Sequence, residues 1–270
     1  MGWGGEGLRI IVLLKDIVDL DELRFDPSTR KPLTEGVKHV ISELDKRALE
    51  AAIRLKEKHG GEVLALSLGG PETKTVMLEA LAMGADAAYI IDDEGLRDLD
   101  AYGTSRILAA AIDKIGDYGL ILCGEMSLDS LSAQIGPRVA ELLGLPMISY
   151  ARELELVDDK RLRAVRDLED VDEVVEVELP AVVSVVREIN EPRIPTLMNI
   201  MRAKRKPTTV WDASAIGVDP DALKDERAVE VLEVKAPLVE RKRRIIEGET
   251  VEEKVERLVE ALVNEGVLGV

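Results

Sequence analysis

The run Arg9-Ile10-Ile11-Val12-Leu13-Leu14 lacks the polar–apolar alternation of a strand with one wet face. A strand that is apolar throughout must be covered on both sides, which is the situation of an inner strand in a parallel sheet. Parallel neighbours need long crossovers, so helices must alternate with the strands. The text that follows supplies them. After a polar stretch from Asp16 to Lys38, with a turn at Asp26-Pro27-Ser28-Thr29-Arg30, Asp45 opens a helix over Lys46–His59. Ala48, Ala52 and Leu55 recur there at helical spacing, and Gly60-Gly61 stops the run. Val63–Leu68 reads as the next strand, Gly69-Gly70-Pro71 as a turn into a helix ending at Gly84, and Ala87–Ile91 as a third strand. Thr104–Ile115 reads as a helix, Gly119–Cys123 as a fourth strand, and Ser132–Leu143 as a helix closed by Gly144 and Pro146. This order predicts an α/β fold with a doubly wound parallel sheet and right-handed crossovers.

The pattern changes after Pro146. Glu153–Val157 and Arg161–Asp167 flank Asp158-Asp159-Lys160 as a hairpin, and Glu173–Glu178 and Ala181–Arg187 add strands. A basic helix is expected over Thr196–Lys206 and another helix over Val251–Asn264. The expected organisation is a flexible tail at residues 1–7, an α/β domain at 8–210, and a charged arm at 211–270. The arm has no core of its own and calls for a partner surface.

Composition excludes several functions. The 270 residues carry 53 acidic and 36 basic side chains, a formal net charge of −17, which repels nucleic-acid backbones and anionic membranes. Aromatic residues make up only 3%, too few for base-stacking platforms. Cys123 is the one cysteine, so no intrachain disulfide forms, and His39 and His59 stand apart from any metal-binding cluster. No apolar run is long enough to span a membrane, and no signal peptide is read at the start; the expected location is cytoplasmic, reaching a membrane only through partner subunits.

Motifs narrow the reading. Gly2-Trp3-Gly4-Gly5-Glu6-Gly7 has the spacing of a dinucleotide fingerprint, but it precedes the first strand and therefore cannot place amides against a pyrophosphate. The segment Gly124 to Gly136 is better placed, between a strand end and a helix. Its hydroxyls at Ser127, Ser130 and Ser132 either hold a phosphate or merely turn the chain and cap the helix. Asp100 is expected to cap the helix read over Thr104–Ile115, and Cys123 is expected to be a buried thiol. Arg202, Lys204, Arg205 and Lys206 form a basic cluster beside Leu197, Ile200 and Met201.

Several islands, in order, resemble the β subunit of the electron transfer flavoproteins. They are Glu35-Gly36-Val37-Lys38-His39, Glu79 through Asp86, Leu179-Pro180-Ala181-Val182-Val183, and Asn190-Glu191-Pro192-Arg193 continuing through Thr196-Leu197, Ile200-Met201 and Ala203-Lys204. The resemblance runs from about Leu8 to Asp219. It implies a Rossmann-like domain of the adenine-nucleotide-binding type, paired with an α subunit that carries its own FAD. By the same resemblance, the nucleotide cleft uses Leu13, the segment Ser42 to Asp45 with Leu44, Leu68, and Gly124, Glu125, Ser127, Asp129, Ser130, Ser132, Ala133, Gln134 and Ile135. Ser42-Glu43 and Asp129-Ser130-Leu131-Ser132 depart from the family pattern.

The family divides by what fills that cleft: structural AMP, or a second FAD that takes hydride from NADH for electron bifurcation. Asp100 and Thr104 match the bifurcating pattern, so FAD is the expected cofactor, with AMP in the same cleft as the alternative. No side chain is expected to be catalytic, because the flavin carries the redox chemistry. The implied partners are the α subunit, dehydrogenase or quinone-linked oxidoreductase subunits, and ferredoxin. The family's recognition loop falls at about 190–206, where Leu197, with Ile200 and Met201, is expected to dock the partner. The rival from another class is a stand-alone nucleotide-binding stress protein, which leaves Asn190–Lys206 and the arm unexplained.

Overall fold

The computed structural model describes residues 7–97, 99–238 and 242–269. The tail expected at 1–7, and the glycine motif within it, lie outside the described residues except for Gly7. In chain order the elements begin β1 (Leu8–Leu13), β2 (Asp16–Val18), β3 (Arg24–Phe25), β4 (Pro32–Leu33), β5 (His39–Ile41), α1 (Glu43–His59) and β6 (Gly61–Leu68). They continue with α2 (Thr73–Met83), β7 (Ala87–Ile91), α3 (Ala101–Ile115), β8 (Leu120–Gly124), α4 (Ile135–Leu143) and β9 (Met147–Asp158). The last are β10 (Arg161–Asp167), β11 (Asp172–Glu178), β12 (Ala181–Val185), α5 (Leu197–Ala203), β13 (Thr208–Trp211), α6 (Pro220–Asp225) and α7 (Val251–Asn264).

Nine strands form one sheet in the order β11-β10-β9-β12-β8-β1-β6-β7-β13. The strands from β12 to β13 run parallel to their neighbours. β1 is buried on both faces, as its composition requires. Ile10 and Val12 join one core with Leu49, Ile53 and Met77, while Ile11 and Leu13 join the other with Ile107, Ile112 and Val139. Helices α1 and α2 therefore cover one face and α3 and α4 the other, which is the doubly wound arrangement. At the other end, β9, β10 and β11 extend the sheet as an antiparallel ribbon. This corrects the simple hairpin: β9 begins at Met147, pairs in parallel with β12, and then turns outward to pair with β10.

Other differences have local causes. The polar stretch 16–38 is not all loop, since β2 pairs with β5. Helix α1 begins at Glu43, earlier than expected, so Asp45 is inside the first turn and is not its cap. Helix α3 begins at Ala101, with Asp100 as cap. Helix α4 begins at Ile135, later than Ser132, because Leu131 and Ala133 adopt φ of 51° and 53° and hold the chain out of the helix. Helix α5 is confined to Leu197–Ala203, and β12 ends at Val185. β13 was not anticipated; it adds an edge strand beside β7.

Contacts divide the chain into two compact units, one containing Pro32–Val234 with the residues before Phe25, the other Phe25–Lys31 with the residues from Lys235 on. The first unit thus continues beyond residue 210. In the second, the Ala236 amide donates to the Arg30 carbonyl at 2.9 Å, and Thr250 caps α7 by accepting from the Glu253 amide at 3.2 Å.

Candidate functional site

Strand order reverses between β1 and β8: α1 carries the chain to β6 on one side of β1, and α3 brings it back to β8 on the other. Such a reversal opens a crevice at the carboxyl ends of the two strands, where ligands of open α/β sheets bind. A single carboxylate spans it. The Asp45 Oδ2 accepts the Lys15 amide at 2.9 Å, and its Oδ1 accepts the Gly124 amide at 2.9 Å. Ser42, also buried, donates its amide to the Lys15 carbonyl at 2.9 Å, and its Oγ accepts the Leu128 amide at 3.4 Å. The first turn of α1 thus ties the end of β1 to the loop after β8. This approach requires glycine at 124, where a Cβ would lie 2.7 Å from the Leu44 Cβ and 2.8 Å from the Asp45 Oδ1. Burial pushes the Asp45 carboxyl up to about 7, against its two amide donors and Lys15. Burial, with Asp45 nearby, also raises the Cys123 thiol, which makes it the inert thiol expected.

The loop leaving β8 is organised by its own polar groups. The Ser127 carbonyl accepts the Leu131 amide at 2.9 Å, and the Ser127 and Ser130 hydroxyls meet at 2.9 Å. Lys15 reaches across to Asp129 at 2.6 Å and to the Ser127 Oγ at 3.4 Å. This half-exposed ion pair contributes at most about 1 kcal/mol to stability, but it brings the ammonium group to the serines. Burial raises the Glu125 carboxyl, assisted by Glu188 and Asp167. Ser132 and Gln134 are exposed; the Gln134 Oε1 accepts from the Arg138 Nε at 2.9 Å. Leu13 and Leu44 are buried, whereas Leu68, Ala133 and Ile135 are partly exposed.

Asp100 is engaged by the chain itself. It accepts the Gly103 amide at 3.0 Å and the amides of Ala228 and Val229 at 2.9 and 3.1 Å. Burial resists its ionisation, but these donors outweigh burial and hold the carboxyl below its ordinary range. Thr104, in the first turn of α3, is partly exposed.

A second apolar surface lies at α5. Leu197 is 76% exposed and Met201 58%, so they do not pack inward; Ile200 does, half-buried against the core. Ile194 and Met198, which sequence reasoning passed over, are exposed beside them. The preceding loop is anchored to α1. Arg193 donates through Nε to the buried Glu50 at 2.8 Å and through Nη1 to Glu57 at 2.5 Å, while Arg47 bonds the carbonyls of Arg187 and Asn190. Sequence reasoning also missed Lys15, whose only signal is a cation directly after the apolar run of β1.

The fold and this crevice define an α/β protein of the doubly wound class. Comparison with known proteins makes that specific. The electron transfer flavoprotein domain matches residues 32–216. The electron transfer flavoprotein subunit beta of Thermoanaerobacterium thermosaccharolyticum is 37% identical over 263 residues, covering 97% of this chain and 100% of that protein. The caffeyl-CoA reductase-Etf complex subunit CarD of Acetobacterium woodii is 34% identical, covering 80% and 82%. Protein FixA of Azorhizobium caulinodans is 32% identical, covering 78% of each. The chain belongs to the electron transfer flavoprotein family, as a β subunit. Among the described residues, no helix is long and apolar enough to cross a membrane, and no cluster of His, Cys, Asp and Glu could hold a metal ion.

Proposed function

We propose that this chain binds FAD in the crevice between β1 and β8 and works with an FAD-carrying α subunit in an electron-bifurcating flavoprotein oxidising NADH. The observation that carries the reading is the polar frame of the crevice: Asp45 bridging Lys15 and Gly124, with Lys15 brought beside the serines of the next loop. An anionic nucleotide needs such local donors in a chain of net charge −17. Ser127, Ser130 and Lys15 would face its phosphates, and Leu13, Leu44 and Leu68 would form an apolar floor. The partly exposed Thr104 would serve the second phosphate of FAD, a group that AMP lacks. When bound, the flavin supplies hydride acceptance and electron transfer; the protein fixes its position and polar surroundings. The relationship to CarD, a subunit of a caffeyl-CoA reductase-Etf complex, supports the bifurcating reading.

The dehydrogenase, quinone-linked or ferredoxin partners of such a system would meet Leu197 and Met201 on α5, and the segment from Lys235 on would pack on the α subunit. Ser127→Glu places a negative charge among the phosphate donors and is expected to lower retained nucleotide in the purified complex, whereas Thr104→Val should lower FAD alone. Full nucleotide content in both variants would remove this crevice from the cofactor site.

A further inference from the structure

Two guanidinium groups share one tyrosine ring on the flank of the crevice. The Cζ atoms of Arg106 and Arg138 lie 5.7 and 5.9 Å from the centroid of the Tyr102 ring. Tyr102 and Arg106 stand one turn apart in α3, and Arg138 is one turn beyond Gln134 at the start of α4. Helical side chains lean toward the helix N terminus. Both helices follow strands of one parallel sheet, so the two guanidinium groups are raised toward the sheet edge from which the loop after β8 emerges.

The two charges are compensated differently. Glu226 pairs with Arg106 and accepts the Tyr102 hydroxyl at 3.3 Å. Among the described residues, Arg138 has no carboxylate partner; its Nε bonds Gln134 and its plane rests near the ring. Three other acids of this edge are already committed, Asp45 to the Lys15 and Gly124 amides, Asp129 to Lys15, and Asp100 to the amides of Gly103, Ala228 and Val229. What remains is an oriented cation with both terminal nitrogens available, on a strongly acidic chain. A planar guanidinium held by a ring and an amide is pre-organised for bidentate contact with phosphate oxygens.

We propose that Arg138, seated on Tyr102, is a specificity-determining residue of the crevice, binding the phosphate that distinguishes a diphosphate-bearing adenine nucleotide from adenosine monophosphate. The inference rests on the reading that the crevice holds an adenine nucleotide. FAD and NADH share the diphosphate, so both must be tried.

The experiment titrates AMP, ADP, FAD and NADH by calorimetry into the complex of this chain with its α subunit after bound nucleotide has been removed from the β chain. Arg138→Gln should weaken ADP by about tenfold and AMP by less than about twofold, with Arg138→Lys recovering part of the loss. FAD or NADH should lose the same factor as ADP, and whichever does so is the source of the diphosphate. Equal weakening of AMP and ADP, unchanged affinity for both, or a loss with ADP alone that neither FAD nor NADH shares would overturn the role of Arg138. If the unmodified complex bound no adenine nucleotide, the reading of the crevice itself would fall, and this inference with it.

Discussion

The sheet unit and the C-terminal unit treat similar apolar patterns in opposite ways. Ile121 in β8 has no exposed surface, whereas Val255 in α7 is 53% exposed. Helix α7 carries an apolar stripe at Val251, Val255, Leu258 and Val259, yet Ala261 is its only buried residue. Periodicity thus specifies a helix and a face, but not what covers the face. In the sheet unit the chain supplies its own cover, from helices on both sides. The stripe of α7 fits the proposed pairing with an α subunit, whose surface would complete it.

The largest expected effect tests this contrast directly. Ile121→Ala should destabilise the isolated chain by about 2–5 kcal/mol, as cavity formation in a closed core does. Val255→Ala should change it by less than about 0.5 kcal/mol. Denaturant unfolding of the two variants measures both, and equal losses would abolish the distinction between the units.

A second expectation concerns the polar frame within the sheet unit. Asp45 is raised to about 7 in the folded protein, from 3.8 for an ordinary aspartate. Between these values the folded chain keeps a proton that the unfolded chain releases. The stabilisation tied to that proton is full below about pH 4 and is lost as pH rises through about 7. The stability of the wild type relative to Asp45→Asn should therefore fall over that window, by a few kcal/mol, and level off above it. A flat difference would mean that Asp45 titrates as an exposed carboxyl does.

Surface positions come next. Leu197→Ala should slow electron transfer to the partner oxidoreductase by about tenfold or more, the worth of one buried aliphatic side chain, with flavin content and melting temperature unchanged. A large fall in melting temperature would place Leu197 in the core. The smallest effect is expected for Val259→Ser, with no change in the isolated chain and a modest weakening of the heterodimer in analytical ultracentrifugation. Unchanged dimer affinity would leave the stripe of α7 without its proposed cover.

The legible parts of the molecule were those governed by local pattern. Ala87–Ile91 and Val251–Asn264 occupy the ranges read from periodicity, and the apolar β1 lies between two cores. The Asp26 turn is also local, with its Oδ1 accepting the amides of Ser28 and Thr29 at 2.9 and 2.7 Å. What escaped depends on distant or unusual geometry. Arg193 meets Glu50 from 143 positions away, which no spacing rule can register. Leucine and alanine give no warning of the left-handed backbone at Leu131 and Ala133, so the sequence pattern reads as helix from Ser132 although α4 starts at Ile135. The resemblance assembled the crevice residues; only the fold revealed that Asp45 joins two strand ends and that Asp100 is occupied by the chain itself.

The most direct test of the central claim is the nucleotide content of the complex of this chain with its α subunit, extracted by denaturation and resolved by chromatography. The account predicts two FAD per heterodimer and no AMP, with one FAD lost when Ser127→Glu is introduced into this chain. One FAD accompanied by one AMP, or no nucleotide beyond the flavin of the α subunit, would contradict it.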